Sequence, residues 1–412
     1  VKAGAAGRSI IFAAVTVEES DLLGSDYYAA NPLIPLAKTV GGINMDGLNI
    51  LGRTKDVVVI GPGKSELEPM LERLAKAQGR VVMPEPTPEK GSFYRSDHFS
   101  LAKRGVPMIW LEDLEGAQAE VAAFANAVHA GGKGEAVRLV CANPQAEDAA
   151  RALAAPGIEI VAAPFFDIWL RDTGPIVVAD QGTALALDYP GNGWGGKYPS
   201  PLDDDLARVL CDAAGLPRLP RDWILEGGAI DVDGAGLCVT TGQCLLNPNR
   251  NPKLSRREIE AQLCADLGLK EVLWLGVGLL NDHTDGHVDN LARFVAPGVL
   301  ALPEAFGADD PNADVFADAL ARAKDWPVEI ALIPSAGLHL DEEGEPIPAS
   351  HMNFYIGNAV VVVPTYGGPS DDKAVAAIAK LFPDRETLGL PANHILTGGG
   401  SFHCISQQVP RV

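Results

Sequence analysis

From residue 144 to its C-terminus the chain is periodic. Helical segments with apolar residues at i, i+3 and i+4, each opened by a turn or capping residue, begin near Pro144, Leu202, Ser255, Asn312 and Ser370, a spacing of 53 to 58 residues. "DDDLARVLCDAAG", "SRREIEAQLCADLG" and "DDKAVAAIAKLF" are examples, and short β-rich runs such as "GLCVTT" and "NAVVVVP" fill the gaps. One helix and a few strands cannot bury their apolar faces alone. Five such units must therefore stack on one another, in a ring or a solenoid. The common helical repeats are shorter and carry no strands, so the expected class is α/β.

Residues 1–115 lack this period. Candidate strands "SIIFAAVT", "VVVIG" and "VPMIWL" alternate with the helical "SELEPMLERLAKAQ", which is also an α/β pattern. Charge shifts at the same place, with net −2 over residues 1–115 and −19 over the remainder of a total of −21. The junction at "LEDLEGAQAE" has no Pro/Gly/Ser linker and predicts two domains, 1–115 and 116–412. So acidic a chain argues against nucleic acid and anionic membranes as partners, and no apolar run is long enough to span a bilayer. The six cysteines (141, 211, 238, 244, 264 and 404) form no CxxC pair, which favours a reducing, cytoplasmic setting. The chain opens at Val1 rather than Met, and "SIIFAAVTV" is too short and wrongly flanked for a signal peptide. The expectation is a natural start further upstream.

Polar residues punctuate the first segment at "VEESDLLGS", "INMDG" and "SDHF". A Glu-Glu pair at a strand end, a loop Asp and a loop His are the residue types of a hydrolytic zinc site, and equally of capped surface loops. On these residues the segment resembles a truncated dizinc exopeptidase of the bacterial aminopeptidase type. The resemblance implies Glu18 as general base and Glu19, Asp46 and His98 as metal ligands. It also requires a His and a bridging Asp upstream of the Glu pair, and no residue before Glu18 is either. These positions are therefore expected to be vestigial, with no metal bound.

In the periodic part, a polar, glycine-flanked motif follows each helix: "WLRDTGP", "LEGGAID", "NDHTDGHVDN", "SHMNFY" and "GGGSFHC". In a closed ring of five units, equivalent places converge on the axis. Cys404, His287, Glu226, Asp172 and Asp289 could then meet. A cysteine with a base and an orienting carboxylate is a generalised triad. Two more carboxylates suit a thiolate only when the substrate is a cation, and a planar guanidinium matches carboxylates bidentately. A lone cysteine is otherwise a small buried hydrophobe, and the Trp194–Gly196 stretch could be either loop scaffold or site wall.

Seven motifs in order, "WLRDTGP", "NGWGGKY", "LEGGAIDVDG", "LLNPNRNP", "TDGHVDNLARF", "NFYIGN" and "GGGSFHCISQQ", make residues 116–412 similar to the agmatine deiminase family of the guanidine-modifying pentein superfamily. That resemblance implies a five-bladed α/β-propeller and hydrolysis of agmatine to N-carbamoylputrescine and ammonia. It implies Cys404 as nucleophile, His287 as acid/base, Glu226 as its partner, and Asp172 and Asp289 on the guanidinium. Trp169, Gly399 and Gly400 would line the substrate site, and no cofactor is implied. His403, next to Cys404, is expected to point away, as strand neighbours do. The family's first, Trp-rich strand is missing ahead of "AEVAAFANAVHA", and Phe166 and His351 depart from the family's usual residues. The chain reads as a fusion, with a homo-oligomer left open. Alternatives are a peptidyl-arginine deiminase, a metallohydrolase built on His283, His287, Asp282, Asp285 and Asp289, a zinc exopeptidase, and an inactive fusion relic.

Overall fold

The computed structural model describes residues 22–45, 56–78, 80–84, 92–94, 96–112, 116–180, 182–198, 200–341 and 344–412. Glu18, Glu19 and Asp46 lie outside the described residues. The chain divides into two compact units, Val1–Gly116 and Ala117–Val412.

The first unit holds a mixed four-stranded sheet in the order Gly42–Met45, Met108–Glu112, Asp56–Ile60, Val81–Pro84. Met108–Glu112 runs parallel to Gly42–Met45 and antiparallel to Asp56–Ile60. Helix Glu68–Ala77 lies within the helical run read from sequence, whereas His98, expected on a loop, opens the helix His98–Ala102. His98 is buried, with its ring edge-on to Phe93 at 4.7 Å. It packs as a core residue.

The second unit is mixed α/β and explains the period. Four of its sheets share one plan: a strand, an antiparallel neighbour, a helix, then a strand parallel to that neighbour. In one, Ile230–Val232 pairs antiparallel with Leu237–Thr241, which pairs parallel with Glu271–Leu275. In another, Tyr355–Ile356, Val360–Thr365 and Glu386–Pro391 repeat the order. A parallel pair requires a crossover of a dozen or more residues, which the helix supplies, so each plan consumes a near-constant length of chain. The middle strands are covered on both faces, and Val360–Thr365 is buried at all but its last residue. Hence "VVVVP" reads as a continuous apolar run rather than an alternation. The fifth sheet has two strands among the described residues, Arg138–Cys141 parallel to Glu159–Ala162.

The helices begin where capping chemistry places them. Asn143 caps Pro144–Leu153, Ser200 caps Pro201–Ala214, and Ser255 caps Arg256–Leu267 in a reciprocal box with Glu258. Ala313–Ala323 and Asp371–Ala379 start directly after Asn312 and Ser370. Ser255→Ala removes one half of the reciprocal cap and should cost about 1 kcal/mol. The expected readout is a lower urea midpoint with an unchanged denaturant slope.

Candidate active site

Every side chain of the central cluster sits on a segment that leaves the last strand of one sheet and enters the next. Asp172 lies between Glu159–Ala162 and Ile176–Asp180, and Glu226 between Arg218–Pro220 and Ile230–Val232. His287 and Asp289 lie between Glu271–Leu275 and Arg293–Ala296, Asn353 between Glu329–Pro334 and Tyr355–Ile356. Cys404 follows Glu386–Pro391. Short sheets thus deliver polar loops from five places to one centre.

Glu226 accepts from His287 Nε2 at 3.1 Å and from Arg250 Nε at 2.8 and 3.0 Å. Arg250 reaches on to Asp285 at 2.6 Å and to the Thr284 carbonyl at 2.9 Å. The other imidazole nitrogen, Nδ1, is buried without a hydrogen-bond partner, 3.7 Å from Asp172 Oδ2. Trp194 Nε1 and the Gly228 amide each donate to Asp172 at 2.8 Å. Trp194 is therefore a wall of the site. Asp289 Oδ2 accepts from His403 Nδ1 at 2.7 Å and lies 3.4 Å from Cys404 Sγ, while its Oδ1 is buried and unpartnered.

Gly228 holds this cluster open. A Cβ there would stand 2.6 Å from His287 Nδ1, 3.1 Å from Asp172 Oδ1 and 3.2 Å from Asp289 Oδ2. The unpaired nitrogen and both carboxylates therefore converge on one point. The C-terminal glycines serve a neighbouring purpose. A Cβ on Gly400 would lie 2.5 Å from the Trp169 ring and 3.1 Å from Cys404 Cβ, so the indole lies directly against the Cys404 loop. Gly399, at φ +96°, turns toward His283.

Burial and neighbours set the charges. Burial, reinforced by Asp289 and Asp172, holds the Cys404 thiol well above the usual cysteine range. Burial also pushes Asp289 up to about 6, with the Asp172 charge adding to it against the pull of His287. For His287, burial opposes the proton, but Asp172, Cys244 and Glu226 outweigh it and raise the imidazole well above its ordinary value. Glu226 is lowered because His287 and Arg250 overcome the cost of its burial. The arrangement offers two carboxylates for a planar cation, an acid at Nδ1, and a sulfur nucleophile beside them.

Several expectations change. His403 is not on a strand, since residues 401–408 form turns and irregular backbone, and its ring points inward to Asp289. Strand alternation does not apply. Burial first, and then the positive charges of Arg171, Arg293 and His287, hold its pKa well below the ordinary value, so it serves as a neutral donor. The metallohydrolase set does not assemble: Asp285 is paired to Lys197 and Arg250, Asp289 to His403, and Asp282 caps Thr284. Among the described residues the trio with ligand-like spacing is Glu226, Cys244 and His287, and Arg250 already occupies Glu226. Sequence reading missed Arg250, Asn353 and Gly228, although "LLNPNRNP", "NFYIGN" and "LEGGAID" contain them.

A family model described as Porphyromonas-type peptidyl-arginine deiminase matches residues 103–410. The chain belongs to that family. An agmatine deiminase of Stutzerimonas stutzeri is 38% identical over 74% of this chain and 90% of its own length. One from Ectopseudomonas mendocina is 36% identical over 77% and 96%. The solved agmatine deiminase of Enterococcus faecalis matches this deiminase-family chain with a TM-score of 0.67 at 31% identity, covering 72% of this chain and 88% of that one. The peptidase family M28 model matches residues 2–131. The two matches overlap on the helix Gly116–His129.

Gly228→Ala tests the convergence point directly, because Gly228 lies outside the left-handed region and alanine fits its backbone. Overpacking should cost about 1–3 kcal/mol of stability. Affinity for a small guanidinium ligand, read by calorimetry, should fall about a hundredfold.

Proposed function

We propose that the chain is an agmatine deiminase, converting agmatine and water to N-carbamoylputrescine and ammonia through a covalent thiouronium on Cys404. The observation that carries this reading is the convergence of Asp172, Asp289 and the free His287 nitrogen on the Gly228 Cβ position, beside Cys404. Asp172 and Asp289 hold the guanidinium. The cation offsets the two charges that keep the free thiol protonated, so substrate binding releases the thiol proton to solvent, His287 being already protonated. The thiolate adds to the guanidinium carbon, and the C–N bond breaks as the His287 Nδ1 proton passes to the departing ammonia. The neutral imidazole then takes a proton from water as that water attacks the thiouronium. Collapse breaks the C–S bond and frees the ureido product, and the hydroxyl proton of the adduct returns to the departing sulfur to restore the thiol. Glu226 orients His287 and stabilises its charged form throughout.

Trp169, Gly399 and Gly400 wall the guanidinium end. The far end of the substrate favours agmatine over arginine. A cavity of about 400 Å³ beside Gly399 is lined by Asp282, Asp341 and Lys197 among others. Lys197 is tied to Asp285 at 2.6 Å and to the His283 carbonyl at 2.7 Å, so its charge is spent. An arginine carboxylate would enter beside acids without a free cation, which costs affinity. Peptidyl-arginine, with no free carboxylate, is the second reading. The five sheets are taken as five blades around the site, and residues 116–412 as the deiminase domain. Residues 1–115 are taken as a peptidase-like segment without peptidase activity, because His98, its expected metal ligand, packs against Phe93 in the core. Among the described residues no helix is long and apolar enough to cross a membrane.

Cys404→Ala should abolish ammonia release from agmatine, and full activity in that variant overturns the mechanism. Comparing kcat/KM for agmatine, free arginine and a blocked arginyl peptide should rank agmatine first. The pH dependence has a definite sign. Asp289 must be ionised to hold a cation, so kcat/KM should be lost as pH falls through about 6, and that acid limb should be absent in whatever activity Asp289→Asn retains. Aminoacyl chromogenic substrates with added zinc should give no turnover, and hydrolysis that vanishes in Glu18→Gln would show a working peptidase.

A further inference from the structure

The free enzyme keeps Cys404 in surroundings hostile to a thiolate. The sulfur is buried, 3.4 Å from one carboxylate oxygen and near a second carboxylate. His287 donates to Glu226 and makes no hydrogen bond to it among the described contacts. A bound cation relieves this state during attack. Once ammonia has left, however, the sulfur must depart from a thiouronium whose charge is being quenched by water, and a fixed donor is then needed at the sulfur itself.

Asn353 is fully buried and provides one. Its Nδ2 donates to Cys404 Sγ at 3.0 Å and to Asn290 Oδ1 at 2.9 Å. Its Oδ1 accepts from the His403 amide at 3.0 Å and from the Cys404 amide at 3.2 Å. A carboxamide has two donor hydrogens and two acceptor lone pairs, and all four are used. This fixes its orientation: the oxygen faces two backbone N–H groups, so the nitrogen must face the sulfur. The His403 amide also lies 3.1 Å from the Asn353 carbonyl, and Ser350 anchors the same loop through the Met352 amide and the Asn290 carbonyl. The donor is therefore held in place before substrate arrives.

Resting on the reading of Cys404 as the nucleophile, we propose that Asn353 is a further catalytic residue, whose side-chain amide stabilises the Cys404 thiolate both as attacking group and as leaving group. It moves no proton and forms no covalent bond. It acts by donating one hydrogen bond to sulfur in its charged state, and it fixes the sulfur's position through the two amides that its oxygen accepts.

The test uses Asn353→Asp in the full chain. Aspartate keeps the shape and the oxygen facing both amides; it removes the donor toward sulfur together with the one toward Asn290 Oδ1, and adds a charge. Asn353→Ser, which is smaller and uncharged, is the second variant, and circular dichroism checks both for folding. Iodoacetamide labelling across pH, with the labelled peptide identified by mass, reports the thiol. Steady-state kinetics with agmatine report turnover. The expected result for Asn353→Asp is a kcat about a hundredfold lower with KM changed only a few-fold, and a labelling midpoint at least about one pH unit higher. For Asn353→Ser the same changes should be smaller. A labelling profile matching the wild type in a folded variant overturns the proposal, as does a loss that appears only in KM. Cys404→Ala separates the two levels. Turnover that persists in that variant sinks the nucleophile itself, whereas a dead Cys404→Ala beside an unaltered Asn353→Asp sinks only the role of Asn353.

Discussion

Arg250 is the cation on which the centre of this protein depends. Its side chain is 1% exposed, and it grips Glu226 with Nε and Asp285 with Nη1. A buried ion pair of this kind adds little net stability, because the cost of removing both charges from water offsets their attraction. Its contribution is to the state of its partner. With Arg250 in place Glu226 stays ionised, and an ionised Glu226 can hold His287 in the charged form that has a proton to give. Asp285 closes the chain outward to Lys197, so a line of alternating charges runs from the cavity wall to the imidazole. The loop that carries it accepts strained backbone, at φ +58° for Asn281 and +64° for Asp285. Strain of that sort persists only where surrounding contacts over-determine it.

Cys404 is positioned by packing and by a reciprocal clamp. Arg171 donates to Gln407 Oε1 at 2.8 Å and to the His403 carbonyl, and Gln407 donates back to the Arg171 carbonyl. The Arg171 amide takes the Cys404 carbonyl at 2.9 Å. One turn upstream, Phe402 stacks on Phe124 at 4.9 Å and 7°. The terminal "SFHCISQQ" is therefore fastened from both sides although it forms no regular element. This is the physical sense of Gln407: a segment without helix or sheet must find side-chain partners for its backbone and its neighbours'.

The helices were legible in the sequence because each announces itself twice, by an apolar stripe and by a cap, as at Ser255 and Asn143. The middle strands were legible as apolar runs. The identity of Cys404, His287, Glu226, Asp172 and Asp289 as one cluster was legible through motifs recurring at equivalent places in a repeat. Residues whose role depends on direction rather than type were not. Nothing in "HC" reveals that both side chains face Asp289, because that follows from a turn the local sequence does not encode. Gly228 reads as one of many glycines until three side chains are seen to converge on its missing Cβ. Arg250 and Asn353 act through partners 24 and 51 residues away, a separation at which sequence carries no signal of contact.

The two-stranded sheet bears on whether such a chain can keep a working site. Its strands Arg138–Cys141 and Glu159–Ala162 correspond to the middle strand and the parallel strand of the other sheets, so among the described residues the position without a strand is that of the antiparallel partner. No residue of the central cluster belongs to that position. Asp172 arrives from the end of Glu159–Ala162, which is present, and Cys404 arrives from a different sheet altogether. The helix Gly116–His129, where the two family matches overlap, supplies Phe124 beneath Phe402 and Glu120 to the amides of His394 and Ile395. Thus the piece of chain nearest the junction still supports the loop that bears Cys404. The central cluster, carried on segments outside the sheets, thus draws none of its side chains from the position of that antiparallel partner.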